Sequence, residues 1–484
     1  MREKGSVPFS ISDGNLLIRG MLRDLMKNSA VESVIAALAP GFGTRLTTGT
    51  VVREQHGRGE AFDASYPPDA VVWPESTEEV ATIVRACAGA GVPVIPFGAG
   101  TSLEGHVTAP QGGISVDLSR MNKILAVNAE DADCVVQPGV TREDLNSWLR
   151  DTGFYFPVDP GANATIGGMV STRASGTTTV MYGAMAQNVM ALEVVLPNGE
   201  VIRCGTRARK SAAGYDLVRL FTGAEGTLGI ITEITLRIRG HPEEIASATC
   251  SFPTLRGAVD TVTELLQSGA PMARMEFLDE VQIRACNQHS KLALDELPTL
   301  FLEFHGTAAG VAEQAARAQD IAAGNGGRDF AWATRPEDRT QLWKARHSAY
   351  FAALALRPGA AAVVADVCVP ISALAEAVAT ARADIDREGL LAPIVGHVGD
   401  GNFHVLFLLD PADAGERARM DRVYDAMVER ANAAGGTCTG EHGIGLGKRE
   451  KLVAEFGSGT VAMMRALKHA WDPKGIMNPG KIFL

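Results

Sequence analysis

The chain has 484 residues, 46% hydrophobic, 21% charged and 6% aromatic, a globular composition that excludes disordered and collagen-like classes. At roughly 150 residues per domain the length provides for about three units and a core that needs no disulfide staple. Its 45 Lys+Arg against 56 Asp+Glu leave a net charge of −11, which argues against a surface that coats nucleic acid. Seven cysteines (Cys87, Cys134, Cys204, Cys250, Cys286, Cys368, Cys438) form no C-x-x-C pair and read as thiols of a reducing compartment. The apolar stretches around Ala352–Leu356 and Ala360–Ala365 are broken by Arg357 and Asp366, too short to span a bilayer. The first residues carry no apolar run with a small-residue cleavage site. A cytoplasmic protein is expected, with peripheral attachment at an inner membrane compatible.

Residues 1–65 read as a leader with helical patterns over Leu16–Met26 and Val31–Leu38. From Asp69, VVWP, ESTEEVATIVRACAGAG and VPVIPFGAG read as strand, helix and strand, with Ser76 or Thr77 placed to cap the helix. Strand-like runs continue at ISVDL, CVVQPG, EVVLPNG and IITEITLRI, which closes a first domain over 66–242. Between 243 and 438 two further passes of strand and helix predict an α+β unit, with helices on one face of a mostly antiparallel sheet. Residues 439–484 hold a glycine-rich loop and a helix near Gly459–Trp471.

Three glycine-rich loops stand out: PVIPFGAGTSLEG, DPGANATIGGMVSTRASGTTTVMYG and GAEGTLGIIT. Small residues let backbone N–H groups approach an anion such as a pyrophosphate. Neither a Rossmann fingerprint nor a P-loop fits them, because Leu103 stands where the first needs glycine and no G-x-x-x-x-G-K-[ST] occurs. In order and spacing these loops resemble the FAD domain of the vanillyl-alcohol oxidase and p-cresol methylhydroxylase superfamily. The resemblance implies two α/β subdomains holding FAD non-covalently. It assigns flavin contacts to Phe97, Gly98, Ala99, Gly100, Thr101 and Ser102, to Pro160, Gly167, Gly168, Ser171, Gly176 and Gly183, and to Glu225, Gly226 and Ile230. Arg173 and Met181 depart from the family pattern, which tends to carry Asn and Arg there.

In HVGDGNFH, Asp400-Gly401 signals a two-residue hairpin loop that sets His397 opposite His404, close enough to share a metal ion. Glu441 and His442 in TGEHGIG offer a carboxylate third ligand and a neighbouring base. On a helix through LWKARHSAYFAALALRPG, Trp343, Arg346, Tyr350 and Ala353 share one face. An arginine on that stripe needs a carboxylate, either a substrate's or an internal Asp or Glu. These motifs, with DVCVPIS and the terminal DPKGIMNPGKIF, resemble the cytochrome-linked, FAD-dependent D-lactate dehydrogenases among the D-2-hydroxyacid dehydrogenases. The resemblance implies an α+β cap with an antiparallel sheet, and metal ligands His397, His404 and Glu441 for Zn²⁺ or Mn²⁺. It also implies His442 as base, Arg346 as carboxylate anchor, and a cytochrome or quinone as electron acceptor. Leu406 and Tyr350 stand where relatives acting on D-2-hydroxyglutarate carry polar residues, which favours a small substrate such as D-lactate. Glycolate, D-2-hydroxyglutarate and a non-catalytic subunit of an oxidase complex are the alternatives. A homo-oligomer is expected.

Overall fold

The structure, a computed structural model, describes residues 28–60, 64–333 and 335–484; the helical pattern at Leu16–Met26 lies outside them. A helix over 28–42 precedes the first sheet, which is built from β1 (Leu46–Thr47), β2 (Ala70–Val72), β3 (Val94–Phe97) and β4 (Ile114–Asp117) in the order β1-β2-β4-β3. The strands β2, β4 and β3 run parallel, and the helix Thr77–Ala90 connects β2 to β3. Ser76 caps that helix by accepting from the Glu79 N–H, and Gly91 ends it at φ 68°. Its Val80, Ile83, Val84 and Cys87 are buried, as a 3.6-residue period requires.

The second sheet comprises β5 (Ile124–Asn128), β6 (Asp133–Val136), β8 (Val189–Val195), β9 (Val201–Gly205) and β10 (Ile230–Arg237), in the order β5-β6-β10-β8-β9 and antiparallel throughout. A two-stranded ribbon of β7 (Phe154–Tyr155) and β11 (Arg239–Gly240) flanks it. Beyond it, β12 (Glu244–Ser251), β13 (Met272–Leu278), β14 (Thr299–Gly306), β15 (Arg328–Ala333), β16 (Ala361–Cys368), β17 (Ile394–His397) and β18 (Asn402–Leu409) form one antiparallel sheet ordered β15-β12-β14-β13-β17-β18-β16. Helices Leu255–Gln267, Ala308–Gly324, Ile371–Glu388 and Ala414–Ala433 pack on one face of it.

The sequence placed helices on that face alone. Helices Glu280–Ser290, Pro336–His347 and Ala349–Ala355 in fact cover part of the other face, where Leu278, Phe301, Val395 and Leu406 are buried. Both faces of the central strands are apolar, so both need cover. The chain then returns to the first sheet: Val94 pairs with Met477 in a parallel bridge, and the Asn478 N–H donates to the Val94 carbonyl. The two halves thereby share a floor, and the functional cavity lies between them.

Candidate active site

A cavity of 580 Å³ separates the glycine loops from the seven-stranded sheet. Every residue read as a flavin contact lines it except Gly176 and Gly183. Gly176 is small for another reason, since a Cβ there would lie 2.4 Å from the Asp159 backbone. Gly183 ends the short helix Thr179–Tyr182 at φ 76°, a conformation that favours glycine. Arg173 caps its helix in the left-handed region and gives its guanidinium to the Thr222 carbonyl at 2.9 and 3.1 Å, so that departure from the family pattern is spent on packing. The glycine-loop wall carries polar atoms that the protein leaves unanswered: Ser102 Oγ and His106 Nδ1 are buried without a hydrogen bond, while His106 Nε2 stands 3.2 Å from Glu225 Oε2. A polar cofactor against this wall would satisfy them, and the residues fit FAD on that count.

Facing that wall, His397 and His404 converge with Glu441 so that one donor atom from each lies within 4.8 Å of the others. Their Nε2 atoms stand 3.3 and 3.2 Å from Glu441 Oε1, and the two rings meet edge to face at 5.3 Å. The route to this contact differs from the expected two-residue hairpin. A 3-10 turn over Val398–Asp400 followed by Gly401 at φ 78° joins the strands, so His397 pairs with Asn402 and His404 with Val395. A type I′ turn needs positive φ at both central residues, and only glycine adopts it here. The histidines still meet because residues two apart along a strand share a face, which makes them diagonal neighbours.

Two buried carboxylates back these rings. Glu276 Oε1 accepts from His397 Nδ1 at 2.7 Å, and its Oε2 pairs with the Arg346 guanidinium at 2.5 Å. Asp366, fully buried on β16, lies directly opposite His404 in the register. Burial alone would lower the His397 pKa, but Glu276 and Glu441 outweigh it and hold it well above its ordinary value. Burial raises Glu441, yet His397 and His404 hold it well below the usual carboxylate range. The negative field that favours a proton on His397 equally favours a divalent cation there, and ring proton and metal compete for the same nitrogen. Two imidazoles and a carboxylate, with a second carboxylate on the far nitrogen of one ring, are a donor set that fits Zn²⁺ or Mn²⁺.

His442 stacks on His404 with centroids 5.0 Å apart and planes 9° apart. Burial pushes its pKa down to about 4, against the pull of Asp366, so its ring is neutral at pH 7 and able to take a proton. Arg346 lies in the same wall. The expected single helix through Leu342–Gly359 is broken at Ser348 into Pro336–His347 and Ala349–Ala355, but Arg346 and Tyr350 both reach the cavity. Of the two partners weighed for this arginine, the structure shows the internal carboxylate, Glu276.

Residues 68–205 match the family described as FAD binding domain, and residues 241–482 match FAD linked oxidases, C-terminal domain. The Danio rerio protein named probable D-lactate dehydrogenase, mitochondrial, is 51% identical over 460 residues, covering 94% of this chain and 93% of its own. The chain belongs to the FAD-linked oxidases, with the D-lactate dehydrogenases. It is an FAD-dependent oxidoreductase of this family. The Arabidopsis thaliana D-lactate dehydrogenase [cytochrome], mitochondrial, is 45% identical over 93% of this chain and 80% of its own. A glycolate oxidase subunit of Bacillus subtilis is 33% identical over 86% of this chain and 89% of its own.

As a fold, this FAD-linked oxidase superimposes on p-cresol methylhydroxylase with a TM-score of 0.76 at 20% identity, covering 94% of this chain and 96% of that one. The cytoplasmic expectation is overturned, since the similar D-lactate dehydrogenases from fish, plant and yeasts are mitochondrial by name. Seven free cysteines speak only for reducing conditions, which do not separate cytosol from matrix. Among the described residues no helix is long and apolar enough to cross a membrane.

Sequence reasoning missed Glu276, Asp366 and Asn478. Asn478 lines the cavity and donates to the carbonyls of His106 and Glu225 at 3.1 and 2.7 Å. The available signal was a single carboxylate inside an apolar strand, Glu276 in MEFL and Asp366 in VVADVCV.

Proposed function

We propose that this cavity oxidises D-lactate to pyruvate, with FAD held non-covalently along the glycine loops and Zn²⁺ or Mn²⁺ at His397, His404 and Glu441. The observation that carries the reading is the convergence of the ligand cluster, a neutral buried imidazole and an arginine on one cavity wall. When bound, FAD supplies the hydride acceptor and the metal supplies the Lewis acid that acidifies the substrate hydroxyl.

The chain's own residues do the rest. Arg346, anchored by Glu276, receives the substrate carboxylate with the part of its guanidinium that lines the cavity. His442 takes the hydroxyl proton. Val364, Val395, Leu406 and Tyr350 line the cavity as an apolar surface suited to a methyl group. Electrons leave to a cytochrome or quinone, a reading supported by the word cytochrome in the Arabidopsis relative's name.

The substrate panel tests this assignment. D-2-hydroxyglutarate would set a second carboxylate against that apolar surface without a partner, and glycolate would leave the surface unfilled. Flavin bleaching by D-lactate is therefore expected to exceed that by either acid by about 10-fold or more. Equal rates with D-2-hydroxyglutarate would overturn the assignment.

A further inference from the structure

We propose that Ser175 is a positioning residue for the metal site: its hydroxyl ties one oxygen of Glu441 to the second glycine loop, so that Glu441 meets the ion through its other oxygen alone. The inference rests on the proposed role of Glu441 as a metal ligand.

A glutamate carboxylate turns about a last torsion that is broad and roughly two-fold, so the side chain alone does not decide which oxygen faces a ligand. In this site the two oxygens are divided. Oε1 faces the imidazoles, 3.3 Å from His397 Nε2 and 3.2 Å from His404 Nε2. Oε2 accepts from Ser175 Oγ at 2.6 Å, the length a hydroxyl adopts against a charged acceptor. The Glu441 main chain is fixed separately, its N–H donating to Asp366 Oδ2 at 3.1 Å. Loss of the Ser175 hydroxyl would therefore leave that backbone in place and free the carboxylate to turn.

Ser175 and Glu441 both line the cavity, yet they lie 266 residues apart in the chain. The serine comes from a loop that is held on both sides. Before it, the Ala174 N–H donates to the Met169 carbonyl and the Ala174 carbonyl accepts from the Met185 N–H, each at 2.9 Å. After it, buried Asp159 accepts from Thr177 Oγ1 at 2.6 Å and from the Thr178 N–H at 3.0 Å. A hydroxyl fixed in this way can orient the carboxylate it touches, as hydrogen-bonding partners of ligating carboxylates do. The consequence is a coordination position. The substrate hydroxyl needs an open place on the ion, and a glutamate bound through one oxygen occupies one position in place of two.

The test uses the FAD-loaded full chain, stripped of metal by chelation and brought to equilibrium by dialysis against Zn²⁺ or Mn²⁺, with bound metal read by elemental analysis and FAD by absorbance. S175A is expected to bind the ion about 10- to 100-fold more weakly than the wild type at unchanged FAD content. S175T keeps the hydroxyl and is expected to stay within about threefold of the wild type. In an E441A background S175A is expected to cost less than about threefold, because the hydroxyl acts through that carboxylate. Equal affinity in S175A and the wild type overturns the proposal and leaves the metal reading standing. An equal loss in both backgrounds marks a structural effect of the substitution and also overturns it. A wild-type chain that takes up no ion, or E441A that binds like the wild type, sinks the ligand role of Glu441 and the proposal with it, so the two failures are distinguishable. S175G removes the same hydroxyl and carries the test should S175A not fold.

Discussion

H442A is expected to slow flavin reduction by D-lactate by about 10²- to 10⁴-fold, the range a positioned general base contributes, while FAD stays bound. His442 reaches the cavity from the loop opposite the glycine walls, so its removal leaves the flavin-contacting loops intact. The pH dependence gives the claim a second edge. Because burial holds the folded pKa at about 4, below the ordinary 6.5, the ring stays unprotonated as pH falls through 6 and 5 and loses its base function only near 4. The acidic limb of the reduction rate in the wild type is therefore expected near about pH 4, and H442A is expected to lack it. The same sign governs stability: the unfolded chain binds a proton at this histidine from about pH 6.5 downward while the folded chain does not, so stability falls across that interval. Stopped-flow bleaching across the pH range measures the first effect and thermal melts the second. Unchanged reduction in H442A, or an acidic limb that persists in that variant, would remove His442 from the base role.

R346M is expected to reduce kcat/KM for D-lactate by roughly 10- to 150-fold, the equivalent of hydrogen bonds to a charged group worth about 1.5–3 kcal/mol. The loss is expected in KM and not in the reduction rate at saturation, because the substrate carboxylate is bound alike before and during hydride transfer. The variant also strips Glu276 of one of its two partners. Removing one member of a buried ion pair costs about 3–5 kcal/mol when the remaining charge is left alone; His397 still faces Glu276 here, so the stability loss is expected at or below the lower end. R346K restores charge without the planar fork and is expected to recover stability more than KM. Steady-state kinetics and melts on the two variants separate these effects. Unchanged KM in R346M would mean that the arginine serves Glu276 alone.

The elements that carry this site were legible to different degrees, for identifiable reasons. The helix Thr77–Ala90 was readable because its cap, its apolar period and its terminal glycine are all local. The pairing of His397 with His404 was reached through the wrong turn: Asp400-Gly401 signals a hairpin, but only Gly401 takes positive φ, and the register shifts while the face is kept. Face parity survives such a shift better than direct opposition does. Glu276 and Asp366 were invisible because a lone carboxylate in an apolar strand has no spacing to recognise until its histidine partners, from 38 (His404 to Asp366) to 121 residues away, are folded against it. The break at Ser348 was equally hidden, since Arg346 and Tyr350 keep a common face on either side of it. Compartment was never in these residues at all, and relatives supplied the correction.

The central claim is that D-lactate gives its electrons to FAD at a metal-dependent site formed by His397, His404 and Glu441. Anaerobic bleaching of the bound flavin by D-lactate and by L-lactate, in enzyme as purified, after chelation and after return of Zn²⁺ or Mn²⁺, tests it most directly. The account predicts fast bleaching by D-lactate only, its loss on chelation with the oxidised flavin spectrum retained, and its recovery with metal. Chelated enzyme that is metal-free by elemental analysis and still bleaches at the full rate would contradict it.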